Sequence, residues 1–200
     1  PSPFSERELL KHGLKVPSYV VSNGVPPQFK KLDIKKDPDL KDKFIVLSVG
    51  RLAREKRHDV LIDAINMSKH RDSIQLMILG AGPIKDEIER QGQKLPNPPI
   101  MGYVPNEQLV NKYNIGDIYV HPSEIEIEGM TILEAMACGL PAIVSDSDRS
   151  ATGQFALDDR FIFQCGNPRS LADKIDYWFE HANELKQARK LYLKKAEEYS

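Results

Sequence analysis

Asp117–Ser145 reads DIYVHPSEIEIEGMTILEAMACGLPAIVS. A short apolar strand, 117–121, breaks at Pro122 into an acidic loop running from Glu124 to Glu128. Gly129 then admits the chain to an apolar helix, Met130–Cys138, which Gly139 and Pro141 stop, and Ala142–Ser145 forms the next strand. Only Thr131 and Glu134 interrupt the apolar run, so the helix is expected to be buried. Helical side chains lean toward the N-terminus, which aims Glu134 back at the open end near Gly129. That end carries unpaired N–H groups and partial positive charge, the requirements of an anion site. With a phosphate there, Glu134 is placed to accept hydrogen bonds from an adjoining ribose. Glu126 lies on the loop before the same end, with seven residues between it and Glu134. A glutamate in the first turns also suits the macrodipole without any ligand, and acidic loops are commonly no more than solvated. This stretch alone leaves both readings open.

Outward from it, strand and helix patterns alternate. Phe44–Val49 and Ile74–Leu79 are continuous apolar runs ending at Gly50 and Gly80, as expected of parallel strands buried on both faces. Pro98–Gly102 holds a third strand and Phe161–Phe163 a sixth; helices are expected from Val60 to Met67, from Ile84 to Gln91 and from Asn106, as cap, to Ile115. Short connections between alternating elements specify a doubly wound, mostly parallel, Rossmann-like α/β sheet. Ligands of such sheets bind beyond the carboxyl ends of the strands. The loops after Val49, Leu79, Met101 and His121 are therefore expected to face one crevice.

The loop after the first strand, GRLAREKRH from Gly50 to His58, brings several cations to that crevice. Arginine can fork onto phosphate oxygens and lysine supplies a point charge. A diphosphate held between these cations and helix amides needs no metal. For any one of these residues the plain alternative is a solvated basic loop. Gly80-Ala81-Gly82-Pro83 lacks the spacing of a dinucleotide fingerprint or P-loop and is read as a tight turn that lets a ligand approach the backbone.

Composition bounds the function classes. Over 200 residues, 40% apolar and 28% charged content describes a soluble, globular chain, and a net charge of −1 gives no electrostatic footprint for nucleic acid. Cys138 and Cys165 have no metal spacing and fit a reducing compartment. No signal peptide or run of about 20 apolar residues is present. The opening Pro1-Ser2-Pro3 reads as the start of a piece of something longer. A short helix capped by Ser5 (6–11), a strand at 19–21 and a charged linker at 30–43 are expected before the main domain. The last helix, 185–199, carries Lys186, Arg189, Lys190, Lys194 and Lys195, most simply a solvated face. Tyr177-Trp178-Phe179 reads as helix packing, and the histidines have no ligand spacing; His121 alone is positioned to line the crevice.

SVGRLAREK, ILGAGP, MGYVP and VHPSEIEIEGMTILEAMACGLPAIVSD together resemble the C-terminal, donor-binding half of a family 4 retaining glycosyltransferase of GT-B fold. The resemblance covers Asn23-Gly24-Val25 and most of 44–181. It implies three segments: residues 1–43 as the end of an N-terminal domain plus linker, 44–182 as the nucleotide-sugar domain, and 183–200 as a helix crossing back toward the missing half. It implies that Arg51 and Lys56 hold a diphosphate with the amides around Gly129, Met130 and Thr131, beside Gly50. Glu134 would hold the ribose, Glu126 the donor sugar, and Tyr103 and Val104 the base. Arg51, Lys56 and Glu126 are then the catalytic candidates, with no metal and no cofactor. The chain departs from the family's pattern at Glu128, commonly aromatic, and Arg57, commonly glycine, so Glu128 stays open as an alternative sugar contact. EIEIEGMTILEAMACGLP with SDSDRSATGQFALDDRFIF and KIDYWFEH is similar to the diacylglycerol and sterol α-glucosyltransferases. This implies UDP-glucose as donor, a lipid or sterol acceptor met through the N-terminal domain, and a cytoplasmic, peripheral location. A non-hydrolysing sugar-nucleotide epimerase and a non-catalytic nucleotide-sugar-binding module remain the alternatives.

Overall fold

A computed structural model describes residues 2–199; Pro1 and Ser200, the outer ends of two expected segments, lie outside them. Six parallel strands form one sheet in the order β3-β2-β1-β4-β5-β6. They are β1 (Phe44–Val49), β2 (Ile74–Leu79), β3 (Ile100–Gly102), β4 (Ile118–His121), β5 (Ala142–Ser145) and β6 (Ile162–Phe163). The register sets Phe44 beside Ile74, Leu47 beside Tyr119 and Tyr119 beside Ala142. β2, β4 and β5 are buried along their whole length, which is why their sequences run apolar rather than alternating.

The helices are α1 (Pro3–Lys11), α2 (His58–Met67), α3 (Lys85–Gly92), α4 (Asn106–Ile115), α5 (Met130–Ala137), α6 (Pro168–Glu180) and α7 (Ala182–Ala196). α2 packs on α3 and α6, and α5 packs on α4 and α7, so helices cover both faces. The strand order reverses between β1 and β4. There the connections leave in opposite directions and a crevice opens at the carboxyl ends.

Local chemistry explains the ends of α5. Gly139 (φ 70°) donates to the Met136 carbonyl and Leu140 N–H to that of Ala135, the paired bonds of a left-handed helix stop. Gly129 (φ 87°) opens the helix, and a Cβ there would sit 2.9 Å from the Phe155 ring.

Several expectations are corrected. Ser2, not Ser5, caps the first helix, because Pro3 is pre-set for the first helical turn. Pro105 rather than Asn106 precedes α4, and the Asn106 side chain makes no cap. Residues 19–21 form no strand and pair with none of the six, and Tyr19 is 88% exposed. The 30–43 stretch is anchored on the main domain. Leu32 N–H donates to Asn114 Oδ1 (2.7 Å), Phe29 is buried edge-on against Tyr113, and Lys36 pairs with Asp117. Arg189 is no solvated cation; it donates to the Gly116 and Asp117 carbonyls (2.8 and 2.9 Å). Trp178 is fully buried, stacked on Phe161 at 4.3 Å, as helix packing.

Candidate functional site

Two adjoining cavities, of about 350 and 420 Å³, open at the β1/β4 reversal and share Val49, Gly50, Arg51 and Thr131 as lining. The first adds Tyr103, Val104 and Glu134; the second adds Lys56, Glu126, Gly129 and Met130. Every residue expected at the site thus lines one continuous groove.

The basic loop is sorted by its partners. Arg54 turns out to Glu87 (3.1 Å), and Arg57 pairs with Asp59 (3.1 Å) and Glu124 (3.5 Å). Lys56 Nζ meets Glu126 Oε2 at 2.6 Å inside the groove. The Arg51 side chain has no hydrogen bond or ion pair among the described residues and stands exposed between the two cavities. Arg57 alone among the described non-glycine residues has positive φ (52°), the conformation its commonly glycine position suits.

Glu126 is the centre of a buried network. His121 Nε2 lies 3.1 Å from Glu126 Oε2 and 3.0 Å from Ser123 Oγ; its Nδ1 faces the Tyr119 hydroxyl at 3.3 Å. Burial alone would raise the Glu126 carboxyl, but the hydrogen bonds from His121 and Lys56 and the Lys56 charge prevail and hold it well below the usual carboxylate range. Burial pushes His121 down, against the pull of Glu126. A neutral imidazole donating Nε2–H to an ionised Glu126 follows. Glu128 points the other way: its carboxylate accepts from Asn23 Nδ2 (2.6 Å), Asn23 N–H (3.0 Å) and Ser22 Oγ (3.2 Å). Both glutamates border the second cavity, but only the Glu126 carboxylate pairs with Lys56 there.

The N–H groups of Gly129, Met130 and Thr131 have no acceptor among the described residues, and no side chain caps α5. They face the groove beside Arg51, with the helix dipole behind them. Thr131 Oγ1 is fixed by the Tyr119 hydroxyl (2.8 Å). Glu134 Oε2 accepts from the Tyr113 hydroxyl (2.8 Å), leaving Oε1 without a partner among the described residues. Burial raises its carboxyl, opposed by that hydrogen bond.

The glycine turn after β2 packs against the basic loop. A Cβ on Gly80 would lie 1.9 Å from the Gly50 carbonyl oxygen, and one on Gly82 2.2 Å from that of Leu52. Leu52 N–H donates to the Ala81 carbonyl (2.9 Å). The glycines let the basic loop stack on this turn, and Gly80 and Ala81 also line the first cavity. Sequence reasoning missed Tyr113, Tyr119 and Asn23. None carries a local signal, because each reaches its partner only through tertiary contact.

The chain matches the family described as glycosyl transferases group 1 over residues 29–195, and it belongs to that family. It is 31% identical over 113 residues to an alpha-monoglucosyldiacylglycerol synthase of Acholeplasma laidlawii, 54% of this chain and 28% of that protein. To a GDP-mannose-dependent alpha-mannosyltransferase of Corynebacterium glutamicum it is 33% identical over 148 residues, 72% of this chain and 34% of the relative. The match therefore spans about a third or less of these curated relatives' length. The solved catalytic domain of cholesterol-alpha-glucosyltransferase from Helicobacter pylori superposes with a TM-score of 0.76 at 36% identity, covering 78% of this chain and 99% of that one. The sheet is the C-terminal half of a GT-B glycosyltransferase fold. Among the described residues, no helix is long and apolar enough to cross a membrane.

Proposed function

We propose that this chain is the donor-binding half of a retaining glycosyltransferase that works without a metal, moving an α-glucosyl group from UDP-glucose to a lipid or sterol hydroxyl. The convergence of Arg51, Lys56, three open helix amides and the half-free Glu134 carboxylate on one groove carries the reading. The diphosphate would lie between Arg51 and the α5 amides, with the ribose hydroxyls on Glu134 and the base against Tyr103 and Val104. The sugar would then reach Glu126 and Lys56. As the bond from the anomeric carbon to the diphosphate breaks, its electron pair leaves with the phosphate oxygen; the acceptor hydroxyl oxygen bonds that carbon and its proton passes to the departing diphosphate. Arg51, Lys56 and the amides stand ready for that charge, the preorganised electrostatic role. Glu126 is tied to Lys56 and His121 and orients the sugar rather than attacking it.

Glucose and a lipid acceptor rest on the 36% identity to the cholesterol-alpha-glucosyltransferase domain and on the diacylglycerol-directed relative. The mannosyltransferase relative makes GDP-mannose the rival donor. Calorimetric titration of the chain with UDP-glucose, GDP-mannose and ADP-glucose decides between them; tightest binding of either of the last two would remove UDP-glucose. With one wall of the cleft, this chain should bind donor but transfer negligibly, since orientation and water exclusion come from both walls. Joined to its N-terminal domain it should transfer, with the anomeric configuration retained by NMR. Acting on a lipid or sterol, the full-length enzyme would sit peripherally on the cytoplasmic face of a membrane.

A further inference from the structure

Three observations converge on the loop that carries Glu126. Its backbone is gripped from the far end of the chain: Ser2 and Ser5 donate their hydroxyls to the Ile127 carbonyl (2.5 and 3.2 Å). The neighbouring Glu128 carboxylate, 9% exposed, accepts three hydrogen bonds, all from Ser22 and Asn23. No cation pairs with Glu128 among the described residues, so these neutral donors alone compensate its burial. Finally, Glu126 Oε1 accepts from the N–H groups of Ile127 and Glu128 (3.0 and 3.4 Å). The two residues held by the N-terminal segment are thus the two whose amides set the Glu126 carboxylate.

Resting on the donor-site reading above, we propose that Glu128 is a positioning residue: its clasp on Asn23 lets the N-terminal segment set the pose of Glu126, and with it the sugar end of the donor site. The rest of that segment is loosely attached, with Val16, Tyr19 and Val21 63%, 88% and 73% exposed. A displacement there passes to the loop through few bonds. On the loop's other side, Ala151 N–H donates to the Glu126 carbonyl (2.9 Å), an anchor independent of the clasp. Arg51, the α5 amides and Glu134 have no bond to residues 2–24. The clasp should therefore govern the sugar and leave the nucleotide diphosphate alone.

The test uses the 200-residue chain with Glu128→Ala, Asn23→Ala, the double variant and Glu128→Gln, titrated with UDP and with UDP-glucose. We expect each alanine variant to weaken UDP-glucose at least fivefold and UDP less than twofold. The double variant should be no worse than the poorer single, and Glu128→Gln, which keeps an acceptor for Asn23, should recover most of the loss. Equal losses for the two ligands, or additive losses in the double variant, would overturn the inference. Amide hydrogen exchange without ligand judges the clasp even if the wild type binds neither compound, which would sink the donor reading instead. Glu128→Ala should speed exchange at Asn23 at least tenfold, with Cys138, at the far end of α5, unchanged. Unaltered exchange at Asn23 would equally overturn it.

Discussion

Replacing Glu134 by glutamine isolates what its free oxygen does. In the wild type Oε2 is occupied by the Tyr113 hydroxyl at 2.8 Å, while Oε1 of this groove-lining residue has no partner among the described residues. An amide oxygen can still accept from Tyr113, so that buried hydroxyl is not orphaned, as it would be in alanine at a cost of about 1–3 kcal/mol. The amide NH2 then faces the ligand and cannot accept from a ribose hydroxyl. A hydrogen bond to a charged group contributes about 1.5–3 kcal/mol, so nucleotide diphosphate affinity should fall about 10- to 150-fold. Stability should hold or rise, because burial already disfavours the Glu134 charge. Calorimetry with UDP and with its 2′-deoxy analogue completes a cycle: the wild type should discriminate between them and Glu134→Gln should not. The sign with pH follows from the raised carboxyl. Its folded pKa lies above the ordinary 4.5, so ionisation, and with it affinity, is lost on acidification before pH 4.5 is reached. The glutamine variant should lack that limb. A folded Glu134→Gln chain binding both compounds as the wild type does would refute the ribose assignment.

Arg51→Ala and Lys56→Ala should each weaken UDP far more than uridine, by tenfold or more, with EDTA having no effect on wild-type binding; loss of binding in EDTA would refute the metal-free clamp. His58 is buried and its Nδ1 has no partner, the one such side-chain atom among the described residues; burial, then His121 and Lys56, lower its pKa to about 4. The neutral ring's contribution is complete above pH 6.5 and is lost as pH falls toward 4, about 3 kcal/mol at roughly 1.36 kcal/mol per unit. Chemical denaturation from pH 7 to 4 should show this acid limb, and His58→Phe should flatten it. At Arg57 the left-handed backbone costs a non-glycine residue about 1–2 kcal/mol, against the modest pairs with Asp59 and Glu124. Arg57→Gly should therefore stay within about 1 kcal/mol of wild type in urea melts, whereas β-branched Arg57→Ile should lose more than that.

The periodicity of the chain determined much of this molecule. Apolar runs at Phe44–Val49, Ile74–Leu79 and Ala142–Ser145 could only be strands buried on both faces, and the glycine-bounded run at Met130–Ala137 could only be a buried helix with an open start. Those features are local, written in side-chain alternation and in the backbone freedom of Gly129 and Gly139, so they were legible without coordinates. The order of strands was not. β1 lies beside β4 although more than sixty residues separate them, and nothing in either strand records which edge the other joins. That placement brings Lys56 to Glu126 and Arg51 to the α5 amides. Likewise, four cations in one loop look alike in sequence, but Arg54 and Arg57 find carboxylates outside the groove while Arg51 finds none. Tertiary contact also parted Glu126 from Glu128, two acids with one residue between them: Lys56 and His121 hold the first, Ser22 and Asn23 the second. A hydrogen bond depends on where its partner is in space, and alternating loop residues with identical chemistry carry no record of that.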